Sequence, residues 1–395
     1  MLHTSLSPWP SFTEEEAAAV QRVLLSNQVN YWTGQETREF EKEFAAWTGT
    51  AHGLALANGT LALEAILKGM GIGPGDEVIV TPRTFIASVA CVVGAGATPV
   101  FADVDAHSGN LSAETIARAI SPCTKAVICV HLGGWPCDMD PIMALAAAHD
   151  FKVIEDCAQA HGARYKGRAV GSIGHAGAWS FCQDKIMTTG GEGGMVTTND
   201  RALWLAMWQH KDHGKSHEAV YERVHPPGFR WLHESFGTNW RMLEMQAVIG
   251  RIQLRRMADW TALRTRHAQA LWAAAAKHSA VRVPDFSAQA GAGSVHAHYK
   301  CYVYVQPERL APGWTRDRIV EAVQAAGVPC YQGSCSEVYL ERAFDGTSWR
   351  PAEPLPVARA LGETSLMFLV HPTLTQAEVD RSGEVIAHVL AQASA

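Results

Sequence analysis

Strand-like apolar runs and segments with the helical spacing of apolar residues alternate along the first half of the chain. Short apolar runs such as 77–80 and 126–130 are typical of buried strands, and each is followed by a stretch with helical spacing of its apolar residues. This alternation is typical of a mostly parallel sheet covered by helices. It predicts helices at 17–25, 36–47, 61–70, 84–93, 113–119, 141–148 and 201–210, and strands at 53–57, 77–80, 99–102, 126–130, 151–154, 176–181 and 195–198.

The second half of the chain has a different character. A long helix is predicted from 242 past Trp260, followed by a strand at 299–305 and by helices at 316–326 and 378–390. At 395 residues the chain exceeds the size at which a single core usually stops growing. The sequence therefore predicts a large α/β domain over 1–250, including an N-terminal arm, and a smaller α+β domain over 251–395.

Composition narrows the possible partners and surroundings. The net charge of −6, with no basic block, argues against nucleic acid or an anionic membrane as a partner. Nine cysteines without a C-x-x-C pair favour neither a disulfide framework nor a metal site. The N-terminus lacks the features of a signal peptide, and no apolar run is long enough to span a membrane. We expect a cytoplasmic protein.

An acid and a lysine follow two of the predicted strands. The strand at 151–154 ends at Glu155 and Asp156, and Lys185 follows the strand at 176–181. Pyridoxal phosphate (PLP) needs a lysine amine for its Schiff base and a carboxylate that keeps its ring nitrogen protonated. Each residue alone also has an ordinary explanation, since Asp156 could cap a helix and Lys185 could be a solvated surface residue.

The predicted strand ends gather further polar groups at one edge of the sheet. Asn58-Gly59-Thr60 turns a strand into a helix, and the free N–H groups of a first helical turn bind anions. His131 and Ser180 end two other strands. The glycine patterns of dinucleotide-binding and P-loop proteins are incomplete in this chain. One edge of a doubly wound sheet is where such folds bind ligands.

A long segment at 211–241 is rich in His, aromatic, Gly and Pro residues. That composition is unusual for a simple connection and favours a lid or a subunit contact, although an irregular surface loop is the alternative.

Several stretches together resemble one family. The sequence is similar to the DegT/DnrJ/EryC/StrS sugar aminotransferases in ANGTLALEAIL, VIEDCAQAHGARYKGRAVGSIGHAGAWSF, DKIMTTGGEGGMVTTND and GTNWRMLEMQAVIGRIQL, which occur in the expected order over nearly the whole chain. The resemblance implies the aspartate-aminotransferase-like fold of fold-type I PLP enzymes.

The resemblance also implies roles for individual residues around the cofactor ring. Lys185 would be the Schiff-base lysine and would move the proton during catalysis. Asp156 would face the ring nitrogen and Gln159 the hydroxyl side of the ring. Phe85, near the start of the predicted helix 84–93, would lie against the ring face, although packing in the core is an equal alternative for this side chain.

Four further residues are implied to hold the cofactor phosphate. Gly59, Thr60 and Ser180 would bind it from the same chain. Asn239 would reach the phosphate bound to the neighbouring subunit, so that the active sites would be shared within a homodimer.

The resemblance implies an aminotransferase that passes an amino group from an amino acid, L-glutamate, through pyridoxamine phosphate to a nucleotide-linked keto sugar. The product would serve a surface polysaccharide or a secondary metabolite. Arg230 and Arg241 are candidates for binding the donor's carboxylate. The alternatives are a sugar dehydratase of the same fold, which would carry His in place of Lys185, a transaminase of a cyclitol-type ketone, and a non-catalytic PLP-binding regulatory protein.

Overall fold

The centre of the protein is a seven-stranded sheet. The computed structural model describes residues 6–286 and 291–395. The strands of the first half are β1 (His52–Leu56), β2 (Glu77–Val80), β3 (Thr98–Phe101), β4 (Thr124–Val130), β5 (Lys152–Asp156), β6 (Arg164–Tyr165), β7 (Arg168–Ala169), β8 (Ala176–Ser180) and β9 (Gly194–Thr198).

The sheet has the strand order β1-β9-β8-β5-β4-β2-β3. Its strands from β8 to β3 pair in parallel, whereas β9 is antiparallel to both of its neighbours. Strands β6 and β7 form a separate two-stranded ribbon. The predicted α/β fold with a mostly parallel central sheet is therefore confirmed, with β9 as the exception.

Helices cover both faces of this sheet, and side-chain caps fix where several of them begin. Asn58 accepts the N–H of Leu61 at 3.0 Å, and Asp200 accepts the N–H groups of Ala202 and Leu203. The helices are α1 (Glu14–Ser26), α2 (Glu36–Thr48), α3 (Gly59–Gly69), α4 (Ala87–Gly94), α5 (Ala113–Ala117), α6 (Met139–His149), α7 (Arg201–Lys211) and α8 (His217–Tyr221).

The predicted start of one helix was wrong. Helix α4 begins at Ala87 rather than at 84, so that Phe85 lies in the turn before the helix. Side-chain hydrogen bonds explain the later start: the Arg83 N–H donates to Thr81 Oγ1, and the Thr84 and Ser88 hydroxyls lie 2.8 Å apart. Such local bonds offer the backbone an alternative to the helix.

The second half forms a four-stranded antiparallel sheet with helices packed on it. Its strands are in the order β10-β11-β13-β12. The elements are α9 (Glu244–Ala275), β10 (Val281–Arg282), β11 (Cys301–Val305), α10 (Arg316–Ala325), β12 (Cys330–Tyr331), α11 (Pro356–Thr364), β13 (Ser365–Phe368) and α12 (Gln376–Ala393). Within the described ranges, no helix is both long and apolar enough to cross a membrane.

Helix α9 connects the two halves. It packs against α1 and α2 of the first half and against β11 and α12 of the second. The predicted boundary between residues 250 and 251 lies inside this continuous helix. The division into domains at that position stays a prediction.

The N-terminal arm crosses from the large sheet to the small one. The Ser7 N–H donates to Glu378 at 2.6 Å, and the Thr373 hydroxyl donates to the Pro8 carbonyl at 2.7 Å. Trp9 donates its indole N–H to the carbonyl oxygen of Lys185 at 2.9 Å. The arm therefore connects the start of α12 with the backbone of the predicted catalytic lysine.

An aromatic cluster holds β8 in place behind that lysine. Phe40 and Phe44 of α2 meet Trp179 and Phe181, and all four side chains are buried. The Phe44 ring lies 5.1 Å from the Trp179 ring and 5.5 Å from the Phe181 ring, centroid to centroid. Edge-to-face contacts of this kind add to the stability gained from burial.

We predict that Phe44→Ala lowers the free energy of unfolding by about 3–5 kcal/mol, since it opens a cavity in this cluster. Chemical denaturation would measure the change. Phe12→Ala is the control, because the Phe12 side chain is 47% exposed, and its loss should change stability by no more than about 0.5 kcal/mol. Equal effects of the two substitutions would contradict the prediction.

Candidate active site

A cavity of about 800 Å³ opens at the carboxyl ends of the parallel strands, between the large sheet and the small one. The small-sheet side contributes Tyr299, Lys300 and Tyr302 to its wall. All but one of the predicted site residues line this cavity, namely Gly59, Thr60, Phe85, Asp156, Gln159, Ser180 and Lys185. The exception is Asn239, which is exposed on the segment before α9.

Asp156 ends β5 with its side chain buried. Its Oδ2 accepts the Ser88 hydroxyl at 2.8 Å, and its Oδ1 accepts the N–H of Ala158 at 3.1 Å. These bonds fix the direction of the carboxylate. A turn follows β5 in place of a helix, so the alternative of Asp156 as a helix cap is wrong.

Lys185 lies in the turn after β8 and is half-buried. Its Nζ is 5.3 Å from the centre of the Tyr299 ring. The Tyr299 hydroxyl donates to Asp184 at 2.5 Å. Burial opposes ionisation of Asp184, but the charge of Lys185 and this hydrogen bond outweigh it and lower the pKa of the carboxyl group. Lys185 is therefore not a solvated surface residue.

The start of α3 touches the end of β8 at Gly59. A Cβ atom on Gly59 would lie 2.6 Å from the Cβ of Ser180, which is closer than two carbon atoms that are not bonded to each other can approach. Glycine therefore allows the free N–H groups of the first helical turn to lie beside the Ser180 hydroxyl. Free N–H groups beside a hydroxyl can bind an anion, so this corner of the cavity is a candidate anion-binding corner.

Gln159 and Phe85 lie on the walls of the cavity. Gln159 Oε1 accepts the N–H of Gly133 at 2.8 Å, which orients the side-chain amide. The Phe85 side chain is 67% exposed. Core packing, the alternative explanation for Phe85, is therefore wrong, and its ring presents an apolar face to the cavity.

Comparison with known proteins identifies the family. The sequence profile of the DegT/DnrJ/EryC1/StrS aminotransferase family matches residues 10–389. The chain belongs to this family. Its curated relatives include the GDP-perosamine synthase of Caulobacter vibrioides, with 37% identity over 358 residues that cover 89% of each chain.

Solved structures of other aminotransferases show the same fold. The aminotransferase from Psychrobacter cryohalolentis is 64% identical, with a TM-score of 0.96, and the match covers 98% of this chain and 99% of that one. Spr1654 of Streptococcus pneumoniae, 25% identical with a TM-score of 0.84, has been solved in a PLP form and in a pyridoxamine phosphate (PMP) form, each match covering 98% of this chain. Aminotransferases of this family depend on PLP.

Tyr299 and Lys300 were not among the predicted site residues, yet both form part of the wall of the active-site cavity. Lys300 is partly buried. Its desolvation, reinforced by the cations Arg264 and Lys185 and opposed by the charge of Asp184, lowers its pKa to about 8. The sequence feature that could have indicated this residue is a lysine within an otherwise apolar, strand-like run at 299–305, because strand periodicity alone does not explain a lysine in such a run.

The two arginines proposed for the donor's carboxylate lie elsewhere. Arg241 Nη1 donates to Asp212 Oδ1 at 2.8 Å, and Lys215 donates to the same oxygen at 2.9 Å. Arg230 is exposed. Neither arginine lines the cavity of its own chain.

His131 is buried and contacts Glu155, the residue before Asp156. Its Nδ1 accepts the N–H of Cys137, so that Nε2 carries the proton and donates it to Glu155 at 2.9 Å. Cys157 is also close, and these three types of side chain can bind metals. The carboxylate of Glu155 is, however, already hydrogen-bonded by three backbone N–H groups at 2.7–2.9 Å, those of Gly171, Ile173 and Gly174.

Glu155 therefore stabilises the turn between β7 and β8. Burial opposes its ionisation, but the hydrogen bond from His131 and those from the backbone N–H groups lower its pKa below the ordinary 4.5. A carboxyl group whose pKa is lower in the folded state adds stability above its unfolded pKa, and this contribution is lost as the pH falls further.

We predict that Glu155→Gln lowers the free energy of unfolding at pH 7 by about 3–5 kcal/mol, because an amide cannot replace a buried carboxylate that accepts four hydrogen bonds. The difference from the wild type should narrow as the pH falls below 4.5, because the carboxyl group is then protonated in the unfolded wild type and, at lower pH still, in the folded protein. Chemical denaturation at several pH values on both sides of 4.5 measures this, and a difference that is constant with pH would contradict it.

Proposed function

We propose that this chain is a PLP-dependent aminotransferase that moves an amino group from L-glutamate to a nucleotide-linked keto sugar. The observation that carries the proposal is that Lys185 and Asp156 line one cavity together with the anion-binding corner at Gly59 and Ser180. The similarity to GDP-perosamine synthase supports a nucleotide-linked sugar as the acceptor. A cavity of about 800 Å³ is large enough for such a ligand.

The residues of the cavity fit PLP in chemistry and in placement. The phosphate would bind at the first turn of α3 and the Ser180 hydroxyl, and the flat ring would lie against Phe85. Asp156, oriented by Ser88 and by the N–H of Ala158, would accept a hydrogen bond from the protonated ring nitrogen and keep it protonated. When bound, the cofactor supplies an electron sink for the bond that breaks at the substrate's Cα.

Lys185 carries the proton transfer in this proposal. Its Nζ would first hold the cofactor covalently and then, once displaced by the amino donor, take the proton from the donor's Cα as a general base. The same amine would act in the reverse direction at the sugar carbon. Tyr299, held by its hydrogen bond to Asp184, forms the wall beside this amine and limits the space in which it moves.

Lys185 argues against one of the alternatives, because a sugar dehydratase of this fold would carry His at position 185. The cavity argues against another, because a non-catalytic PLP-binding protein would not need an open space of about 800 Å³ beside Lys185 and Asp156.

The proposal includes a homodimer with shared active sites. The segment before α9 exposes a group of large apolar side chains that is unusual for the surface of a monomer. They are Val224 at 94%, Phe229 at 77%, Trp231 at 81% and Phe236 at 102% exposure. Asn239 lies on the same segment, three residues after Phe236 and outside the cavity of its own chain, which fits a role in the cavity of a partner.

We predict that Lys185→Ala lowers the rate of amino-sugar formation by at least about 10²–10⁴-fold, because the general base is lost. Mass spectrometry of reactions with UDP-, dTDP- and GDP-linked keto sugars measures turnover and identifies the acceptor. Borohydride reduction of the wild type should also add the cofactor mass to the peptide that contains Lys185, and no such adduct should form in the variant.

The control for this substitution is Lys42→Ala, since the Lys42 side chain is 71% exposed and pairs only with Glu39 on the surface of α2. Its turnover should equal that of the wild type. Unchanged turnover in Lys185→Ala would disprove the catalytic assignment.

We predict that a mixed dimer of one Lys185→Ala subunit and one Asn239→Ala subunit regains activity, although each homodimeric variant is impaired. If Asn239 acts in the partner's cavity, one of the two sites in the mixed dimer contains both wild-type residues, so activity should reach about half of the wild-type value per dimer. Co-expression with two affinity tags would isolate the mixed dimer. If Asn239 serves its own chain, the mixed dimer gains nothing beyond the average of the two homodimers.

A further inference from the structure

A second cavity of about 700 Å³ lies next to the active-site cavity. It is formed where the N-terminal arm, α9 and the segment after β13 meet. The two cavities share Asp184, Tyr299 and Lys300 in their walls. None of the proposed catalytic steps uses the remaining polar groups of this second cavity.

Arg264 of α9 lines the second cavity as a buried cation without a matching anion. Only 2% of the residue is exposed. Its Nη1 reaches the His298 carbonyl at 3.4 Å, whereas Nε and Nη2 have no hydrogen-bond partner. Among residues 6–286 and 291–395, no carboxylate lies within ion-pair distance of the guanidinium group.

The aromatic ring of Trp9 compensates the charge of Arg264 only in part. The guanidinium carbon lies 5.1 Å from the centre of that ring, a cation–π distance. Burial lowers the pKa of Arg264 to about 9, against a small opposing influence of Tyr299. Because a guanidinium group stays protonated in proteins, this lowering reflects the cost of an uncompensated buried charge.

The other titratable groups of the cavity leave it positively charged. Lys300 is a second cation in the wall, and it is partly buried. Burial and the cations Arg264 and Lys300 lower the pKa of His371 to about 3, so that this ring is neutral near pH 7. The one carboxylate in the wall, Asp184, already accepts the Tyr299 hydroxyl.

We propose that this second cavity is a binding site for the carboxylate of a small molecule, with Nε and Nη2 of Arg264 as the donors. These two N–H groups lie on one side of the planar guanidinium fork, the side that binds both oxygens of a carboxylate. A bound carboxylate would compensate the buried charge and give both donors a partner. Trp9 would lie beside the bound anion.

Two sources of this carboxylate are distinguishable. One is the amino donor or the 2-oxo acid formed from it, and this source depends on the proposed transaminase function. The other is a free monocarboxylate, which is independent of that function. The probes are 2-oxoglutarate for the first source and acetate for the second.

The test is isothermal titration calorimetry of each probe into the cofactor-loaded wild type, Arg264→Met and Arg266→Met. Arg266 is the matched control, since it lies two residues away on α9 with its side chain exposed. We expect Arg264→Met to weaken carboxylate binding by about 10–100-fold, the value of a charge-assisted hydrogen-bonded pair, and Arg266→Met to leave it unchanged. Arg264→Met should also keep or raise the melting temperature without ligand, because an apolar side chain replaces an unpaired buried charge.

Binding of 2-oxoglutarate alone through Arg264 supports the donor-derived source, and binding of acetate as well supports a general carboxylate site. Equal affinity of the wild type and Arg264→Met for both probes overturns the inference. If the variant does not fold, a crystal structure of the wild type soaked with 2-oxoglutarate decides: a carboxylate on Nε and Nη2 supports the site, and one bound only elsewhere overturns it.

Failure of this inference and failure of the proposed function give different results. A wild type that transaminates while Arg264→Met leaves carboxylate binding unchanged disproves only the second site. A wild type that binds acetate through Arg264 but aminates no sugar disproves only the proposed function.

Discussion

The active-site region depends on the parallel pairing of β4, β5 and β8. Parallel neighbours bring their carboxyl ends to the same edge, and here those ends carry Asp156 and Ser180 with the turn that holds Lys185. Three residues that are separated along the chain therefore meet without any long side chain bridging them. The contact between Gly59 and Ser180 then brings the first turn of α3 to the same edge, since a larger residue at 59 would push the helix away.

Two buried charged side chains, Glu155 and Arg264, differ in how completely they are hydrogen-bonded. Glu155 is completely buried, but His131 and three backbone N–H groups saturate its oxygens, and it serves as a fixed support for the strand end that carries Asp156. Arg264 is equally buried, yet two of its nitrogens have no hydrogen-bond partner. A buried charge whose hydrogen bonds are complete stabilises the fold around it. A buried charge with unpaired donors beside a cavity is a candidate for binding a ligand.

The order of the main strands and helices of the first half could be predicted from the sequence because periodicity is a local property, and the strand ends indicated Asp156, Lys185 and Gly59 as site residues. In the second half β10, β12, β13 and α11 were not predicted. Contacts between distant segments could not be predicted in this way. Trp9 meets Lys185 across 176 positions, and Tyr299 meets Asp184 across 115. Periodicity also placed the start of α4 too early, since it does not register the hydroxyl contact between Thr84 and Ser88.

The continuity of α9 restricts how the cleft can open. This helix of 32 residues packs against both halves of the protein, and the N-terminal arm contacts both halves as well. A hinge motion that separates the two halves would have to bend α9 or detach the N-terminal arm. Entry of the proposed nucleotide-sugar substrate would therefore require surface segments to rearrange around α9 and the N-terminal arm, while the Lys185 amine would keep its position.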